Sequence, residues 1–285
     1  MKPKPKISII GNGRMAKALA CAFQGYGCIM DNFFIRNPIK EHELQSFNVP
    51  VKKLTKNTVI DSDIVFLAVS DDAISDVASQ IVTNLNGLLV HTSGALNLDC
   101  LQPAKESGWR VASFHPIQTI PEQTDRDLFQ NVTVSILSGK DETSQLAELA
   151  VTIGATPLPV SESDKIRLHI AAVFLSNYVV SLVKTAEDVL KNGQIDTLKT
   201  SEIFTPLLRN AVEQVLITGT NKSLTGPVSR GDTGTIKKHK QQLQDDNAIL
   251  TLELYQTLGR QALEVKRRDG RLSDEEVRRV KDALS

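Results

Sequence analysis

At 285 residues the chain is long enough for one large domain or two ordinary ones. Hydrophobic residues make up 41% and charged residues 23%, as in ordinary globular proteins, and a formal net charge of zero excludes a basic field able to gather nucleic acid or anionic lipid. No stretch reads as a signal peptide or a membrane span, and Cys21, Cys28 and Cys100 offer neither metal-ligand spacing nor an even disulfide set, so the expectation is a cytoplasmic protein.

The first half alternates short β-rich runs with helical stretches. Candidate strands are Ile7–Ile10, Asn32–Ile35, Ile64–Val69, Leu88–His91, Arg110–Phe114 and Val132–Ile136, with a last short run at Thr156–Val160. Helix candidates between them are Met15–Gln24, Ala73–Val82 and Glu142–Ile153. Runs apolar on both faces and separated by helices indicate a doubly wound, mainly parallel α/β sheet of the Rossmann type. Beyond Ser161 strand signals nearly vanish. Ser161, Ser163 and Asp164 offer N-caps for one long helix reaching Lys191, and further helices are expected over 201–217, 236–268 and 273–284. The expected division is therefore 1–160, α/β, and 161–285, all-helical.

The clearest motif opens the chain. Ile7–Ile10 runs directly into Gly11-Asn12-Gly13-Arg14-Met15-Ala16, which places Gly-x-Gly-x-x-Ala between a strand and a helix. Gly11 permits the tight turn, Gly13 lets the backbone approach a pyrophosphate, and Ala16 keeps helix and strand close. The helix N-terminus then offers free N–H groups and positive dipole to the phosphates. The second strand ends in Ile35-Arg36-Asn37-Pro38, with Lys40 nearby, where NAD sites carry an acidic residue for the ribose hydroxyls. A guanidinium at that place suits a 2′-phosphate, so the expected cofactor is NADP(H), with Val69 and Ser70 as further neighbours. Asp71 or Asp72 is expected to cap the next helix.

Catalytic candidates cluster at strand ends and on one helix. His91-Thr92-Ser93-Gly94 and His115-Pro116 each follow a strand, where a parallel sheet delivers residues to its ligand crevice. At about 100° per residue, Lys165, His169, Ala172 and Ser176 share one helical face, with Asn177 partly around from them. A lysine in a partly dry cleft loses basicity and can donate a proton to a carbonyl oxygen; His169 can do the same or orient the lysine. In the loop Leu224–Asp232, Arg230 can clamp a substrate carboxylate with Asp232 fixing it, or Asp232 can simply cap the following helix. His42 and His239 sit in polar surroundings and read as surface residues. No metal is expected, because no histidine pair has ligand spacing.

Five ordered blocks carry a family resemblance: Gly11–Ala16, His91–Ala95, His115–Thr119, His169–Tyr178 and Leu224–Asp232. Together they resemble NADP oxidoreductases that pair a Rossmann-like domain with a helical domain of unknown function. The broader superfamily includes ketopantoate reductase, pyrroline-5-carboxylate reductase, prephenate dehydrogenase and the 3-hydroxyacid dehydrogenases. His115-Pro116 is similar to the His-Pro of prephenate dehydrogenases. Lys165 matches the catalytic lysine of ketopantoate reductases and 3-hydroxyacid dehydrogenases, which place an asparagine four residues later; this chain has His169 there and Asn177 two turns on. Some such chains use a deazaflavin, whereas Arg36 favours NADP here.

The resemblance implies hydride transfer between NADP(H) and a small 2-oxo or 2-hydroxy acid, ketopantoate being the first candidate. Thr92 would adjoin the cofactor, Ser93 and His115 would orient the carbonyl, Lys165 or His169 would protonate the alkoxide, and Arg230 would bind the carboxylate. It also implies a homodimer formed through the helical domain. Two other readings stay open: an imine reductase similar to the pyrroline-5-carboxylate enzymes, and a non-catalytic protein that senses NADPH. Neither nucleic acid nor membrane is an expected partner.

Overall fold

In the computed structural model, residues 4–83, 86–191, 193, 200–270 and 272–285 are described. The chain divides into two compact units, Met1–Ser176 and Asn177–Ser285.

Among the described residues the first unit holds ten strands: β1 (Lys6–Ile10), β2 (Ile29–Ile35), β3 (Val51–Lys53), β4 (Thr58–Val59), β5 (Ile64–Leu67), β6 (Ile81–Val82), β7 (Leu88–His91), β8 (Arg110–Pro116), β9 (Thr133–Leu137) and β10 (Thr156–Pro159). Eight of them form one sheet in the order β10-β9-β8-β7-β5-β1-β2-β3, while β4 and β6 pair apart from it. From β3 to β8 all pairings are parallel; β9 runs antiparallel to β8, and β10 follows β9 in parallel. This is the mainly parallel, Rossmann-like sheet expected from the apolar runs.

Its helices are α1 (Arg14–Gly25), α2 (Ile74–Ala78), α3 (Gln102–Glu106), α4 (Lys140–Thr152) and α5 (Glu162–Leu175). The strands alternate between two cores, as a pleat of period two requires. Ile64 and Phe66 of β5 join Ile7, Ile9, Phe33 and Phe114 on the face covered by α1 and α4. Val65 and Leu67 join Ile10, Phe34 and Leu89 on the face covered by α2 and α3. Both sets are almost wholly buried, which explains why these runs carry no polar alternation. Ser8, the buried exception in β1, pairs with Ser62 Oγ at 2.8 Å, and Ser62 donates to Asp31 at 2.7 Å.

The second unit is helical: α6 (Asn177–Lys191), α7 (Thr200–Thr218), α8 (Thr220–Ser223), α9 (Thr233–Asp245), α10 (Ile249–Asp269) and α11 (Asp274–Leu284). A core of Val228, Ile236, Leu263, Val280, Ala283 and Leu284 joins the last three to the 224–232 loop. A capping box at Ser273 and Glu276 starts α11.

Several expectations need correction. The helix expected over Ala73–Val82 is a 3-10 turn (Asp71–Ala73), the short α2, and then β6. Ser79 Oγ takes the Asp76 carbonyl at 2.7 Å and ends α2. The single helix expected to reach Lys191 breaks at Ser176, whose backbone leaves the helical region (φ −124°, ψ −72°) and whose hydroxyl donates to Ala172 O at 2.7 Å. By packing, α5 belongs to the first unit although its composition announces the second. The helix expected over 236–268 is interrupted at Asn247, left-handed at φ 53°, a conformation asparagine tolerates at a helix end. The 162–191 stretch is also long and apolar enough to cross a membrane by length and composition. Within it, Lys165 donates to the Ser93 carbonyl beyond β7.

Candidate active site

The turn after β1 folds as its glycines dictate. Gly11 adopts φ +125°, and a Cβ there would overlap the Ala68 carbonyl at the end of β5. Its N–H donates to Phe34 O at 2.9 Å, tying the turn to β2. Gly13 stands at the N-cap of α1 with no side-chain cap and nothing within 4 Å of where its Cβ would be. First-turn amides therefore face open space, the arrangement that receives a phosphate. Ala16 is wholly buried, letting α1 lie close on β1.

This turn floors a cavity of about 710 Å³, whose lining includes Gly11, Asn12, Gly13, Arg14, Met15, Arg36, Asn37, Val69 and Ser70. Nine of the expected cofactor neighbours thus surround one space. Arg36 is exposed at the end of β2 and reaches Asp76 only at 3.9 Å. The side chain of Lys40 lies outside the described residues. Glu43 also approaches the turn, accepting from Lys17 Nζ at 2.9 Å and Asn12 Nδ2 at 3.4 Å. Thr92 does not line the cavity. Its hydroxyl turns back to Leu67 O at 3.3 Å, and its carbonyl meets His115.

Further along the same sheet edge, the ends of β5, β7 and β8 meet α5. Asp71, beyond β5, accepts from Ser93 Oγ at 2.7 Å. It is not a helix cap: Ser70 precedes the 3-10 turn, and Ala73 precedes α2. Ser93 Oγ also accepts from the N–H groups of Ala95 and Leu96 at 3.2 and 3.1 Å. Its one proton is therefore spent on Asp71, and the hydroxyl shapes a turn rather than facing a ligand.

Lys165 from α5 is 2% exposed and donates from Nζ to the Ser93 carbonyl. Burial draws its pKa down to about 8, partly offset by the nearby Asp71 carboxylate. His91 is fully buried, and burial, with Lys165 and His115 nearby, holds its pKa at about 3, so it is a neutral imidazole. His115 donates from Nδ1 to Thr92 O at 2.9 Å; burial lowers its pKa against the pull of that bond. His169, one turn beyond Lys165, sets its ring edge-on to His115 with centroids 5.7 Å apart. Gly94 lies beneath both rings: a Cβ there would collide with His169 Nδ1 and stand 2.7 Å from His115 Nε2.

Lys165, His169, His115 and Ser93 are therefore brought together as their spacing suggests. Gly94 and Asp71 have roles the sequence does not announce; the signal for Gly94 is only a glycine directly after a strand-end serine. Asn177 and Arg230 belong to the second unit. Asn177 is exposed at the start of α6, and Arg230 is exposed in the 3-10 turn Val228–Arg230. Asp232 is the N-cap of α9, accepting from Thr235 N at 3.0 Å and Thr235 Oγ1 at 2.7 Å, which is the capping reading and not an Arg230 clamp. His239 is exposed, as expected of a surface residue, and bonds Tyr255 Oη through Nδ1 at 3.0 Å beside an apolar cavity of about 420 Å³. Among the described residues no group of three or more His, Cys, Asp or Glu is placed to hold a metal ion.

Comparison with known proteins supports the fold. The model for NADP oxidoreductases, coenzyme F420-dependent, matches residues 6–91, and a domain of unknown function, DUF2520, matches residues 132–262. No curated protein matches the sequence. Among solved structures, a Bacteroides fragilis protein provisionally classed as an NADP oxidoreductase is 24% identical with a TM-score of 0.75, covering 91% of this chain and 98% of its own. A Thermotoga maritima protein is 19% identical with a TM-score of 0.71, covering 92% and 99%. An imine reductase of Myxococcus stipitatus, in complex with NADP+, is 17% identical with a TM-score of 0.64, covering 91% and 94%. The chain thus has the fold shared by NADP oxidoreductases and imine reductases of the Rossmann superfamily.

Proposed function

We propose that this chain is an NADP(H)-dependent reductase acting on a polarised C=N or C=O bond in a small molecule. The observation that carries this reading is that one sheet edge bears both the glycine-turn cavity, with Arg36 in its lining, and the cluster of Lys165, His115 and His169 at the ends of β7 and β8. The residues fit the cofactor. Open space over Gly13 admits a pyrophosphate to the N-terminus of α1, and Arg36 suits a 2′-phosphate where NAD sites need a carboxylate. When bound, reduced nicotinamide supplies a hydride; the protein's own task is to hold the double bond and bring a proton to its heteroatom.

Imine reductases solved with NADP+ or NADPH-type ligands share the fold, which supports a C=N substrate. A 2-oxo acid, ketopantoate-like, is the second reading. It is favoured by the buried ammonium of Lys165, which would repel an iminium cation and attract a developing alkoxide. In both, the proton comes from Lys165 or from the histidines beside it. Parallel titration with NADPH and NADH, read by nicotinamide fluorescence, tests the cofactor. NADPH oxidation with pyruvate and with 1-pyrroline tests the bond reduced. Binding of neither nucleotide would overturn the proposal.

We also infer pairing of two copies through helices. Val180 of α6 is 70% exposed, and Leu216 and Ile217 of α7 are 79% and 76% exposed; large apolar side chains in such numbers are ordinarily covered.

A further inference from the structure

One stretch of the first unit departs from the alternation of strand and helix around it. β8 ends at Pro116, its antiparallel neighbour β9 begins at Thr133, and residues 117–132 between them hold no helix. They pack into the core shared by α1 and α4, where Phe129 is fully buried and Val132 nearly so.

The stretch is fastened along α1. Tyr26, at the C-terminal end of that helix, donates from Oη to Asp127 Oδ1 at 2.7 Å and accepts from Gln130 Nε2. Arg126 lays its stem on Gly25, where a Cβ would collide with it, and holds its guanidinium 6.0 Å from the centre of the Tyr26 ring. Cys21 Sγ donates to Thr124 O at 3.8 Å, and Asn131 N donates to Gly154 O at 2.8 Å beyond α4. Residues 117–132 therefore form a strap tied down at several points.

Ile120 lies near the start of this strap. Pro121 disfavours a helical backbone before it, and its own branched side chain has little rotamer freedom. Half-buried, it packs with Met15 against the core that α1 covers. It also lines the glycine-turn cavity, whose other described lining residues all fall between Ile10 and Val77.

Strand order shows which part of the cavity Ile120 walls. Arg36 and Asn37 follow β2 and Leu54 follows β3, on one side of β1; Ala68, Val69 and Ser70 follow β5, on the other. The strap arrives from β8, two strands beyond β5 on that second side. A dinucleotide with its pyrophosphate over the glycine turn and its 2′-phosphate at Arg36 has its remaining half directed toward β5 and the strap.

We propose that Ile120 is a wall of the nicotinamide half of the cofactor site, meeting the ring by apolar contact, and that the strap is the device that holds it there. The proposal rests on the reductase reading. It adds a division of labour: Arg36 reads the 2′-phosphate, while Ile120 reads the other end of the nucleotide. The strand that carries His115 runs directly into the strap, so one segment serves both the cofactor cavity and the cluster beside it.

The test compares NADPH with 2′-phospho-ADP-ribose, the same nucleotide without its nicotinamide, on the full-length protein by calorimetry. Ile120→Ala is expected to weaken NADPH by about 5–30-fold, the loss of one large apolar contact, with 2′-phospho-ADP-ribose unchanged. Tyr26→Phe, which unties the strap from Asp127 and Gln130, is expected to give a smaller loss of the same selectivity. A second measurement needs no variant: with methyl-labelled isoleucine, nuclear Overhauser contacts are expected from Ile120 to the nicotinamide protons and not to adenine H2 or H8. Unchanged NADPH affinity in Ile120→Ala, equal weakening of the two nucleotides, or contacts to adenine would overturn the wall. Failure of the wild type to bind either nucleotide would sink the reductase reading itself, whereas binding of both without the selective loss sinks only the role of Ile120.

Discussion

At the end of β2 the guanidinium of Arg36 occupies the place where an acidic side chain would meet the ribose hydroxyls of NAD, and its ion pair with exposed Asp76 spans 3.9 Å. Two exposed partners at that distance hold each other weakly, leaving the arginine available to a phosphate. Arg36→Ala is expected to weaken NADPH binding by about 10–100-fold while leaving NADH nearly unchanged, as charge-assisted hydrogen bonds are lost. Equal losses for the two nucleotides in a fluorescence titration would remove Arg36 from the 2′-phosphate site. His91 makes a second residue-scale case. Its pKa in the fold, about 3, lies below the unfolded value near 6.5, so the unfolded chain binds the extra proton between those limits. Its contribution is fully present above about pH 6.5 and is lost as pH falls, at about 1.4 kcal/mol per unit within the window. The melting temperature of His91→Leu should therefore fall less between pH 7 and pH 4 than that of the wild type. Parallel curves would assign the acid sensitivity elsewhere.

Helices show why residue spacing reaches only part of the way. The face of α5 bearing Lys165, His169, Ala172 and Ser176 is its less exposed face, as its periodicity predicts, while Ile170 and Phe174 stand out in the open. Periodicity does not reveal that the helix stops at Ser176, because the stop depends on a serine hydroxyl competing for a backbone carbonyl and not on a glycine or proline. Nor does it divide 236–268, where a lone asparagine takes a left-handed turn. The loop before α9 gives a direct test of role. With Asp232 serving as the N-cap, Asp232→Ala should lower the melting temperature by roughly 2–4 °C, and Asp232→Asn should restore it. Unaltered stability in Asp232→Ala, with lost activity, would return Asp232 to a substrate clamp.

For the molecule as a whole, the distribution of exposed apolar side chains is uneven. The fully buried core is concentrated in the sheet unit, whereas Leu207, Val212, Leu216 and Ile217 on α7 and Ile249 and Leu250 on α10 are exposed. Light scattering after size exclusion is expected to give a dimer, and Leu216→Lys combined with Ile217→Lys is expected to yield monomer without loss of secondary structure. A wild-type monomer at micromolar concentration would set the pairing aside.

The parallel sheet, the glycine turn against α1, Arg36 directly after β2 and the helical character of the second half are legible in the order of residues alone. Each is a local signal: a φ only glycine takes freely, a strand apolar on both faces, a charge directly after a strand. Only the packing of distant segments brings Asp71, Ser93, Gly94, His115 and His169 together. Those residues are far apart along the chain, and their meeting depends on strand order at one sheet edge and on the docking of α5 over β7. The proton on His115 Nδ1 follows from its carbonyl neighbour, and neighbours are fixed by packing.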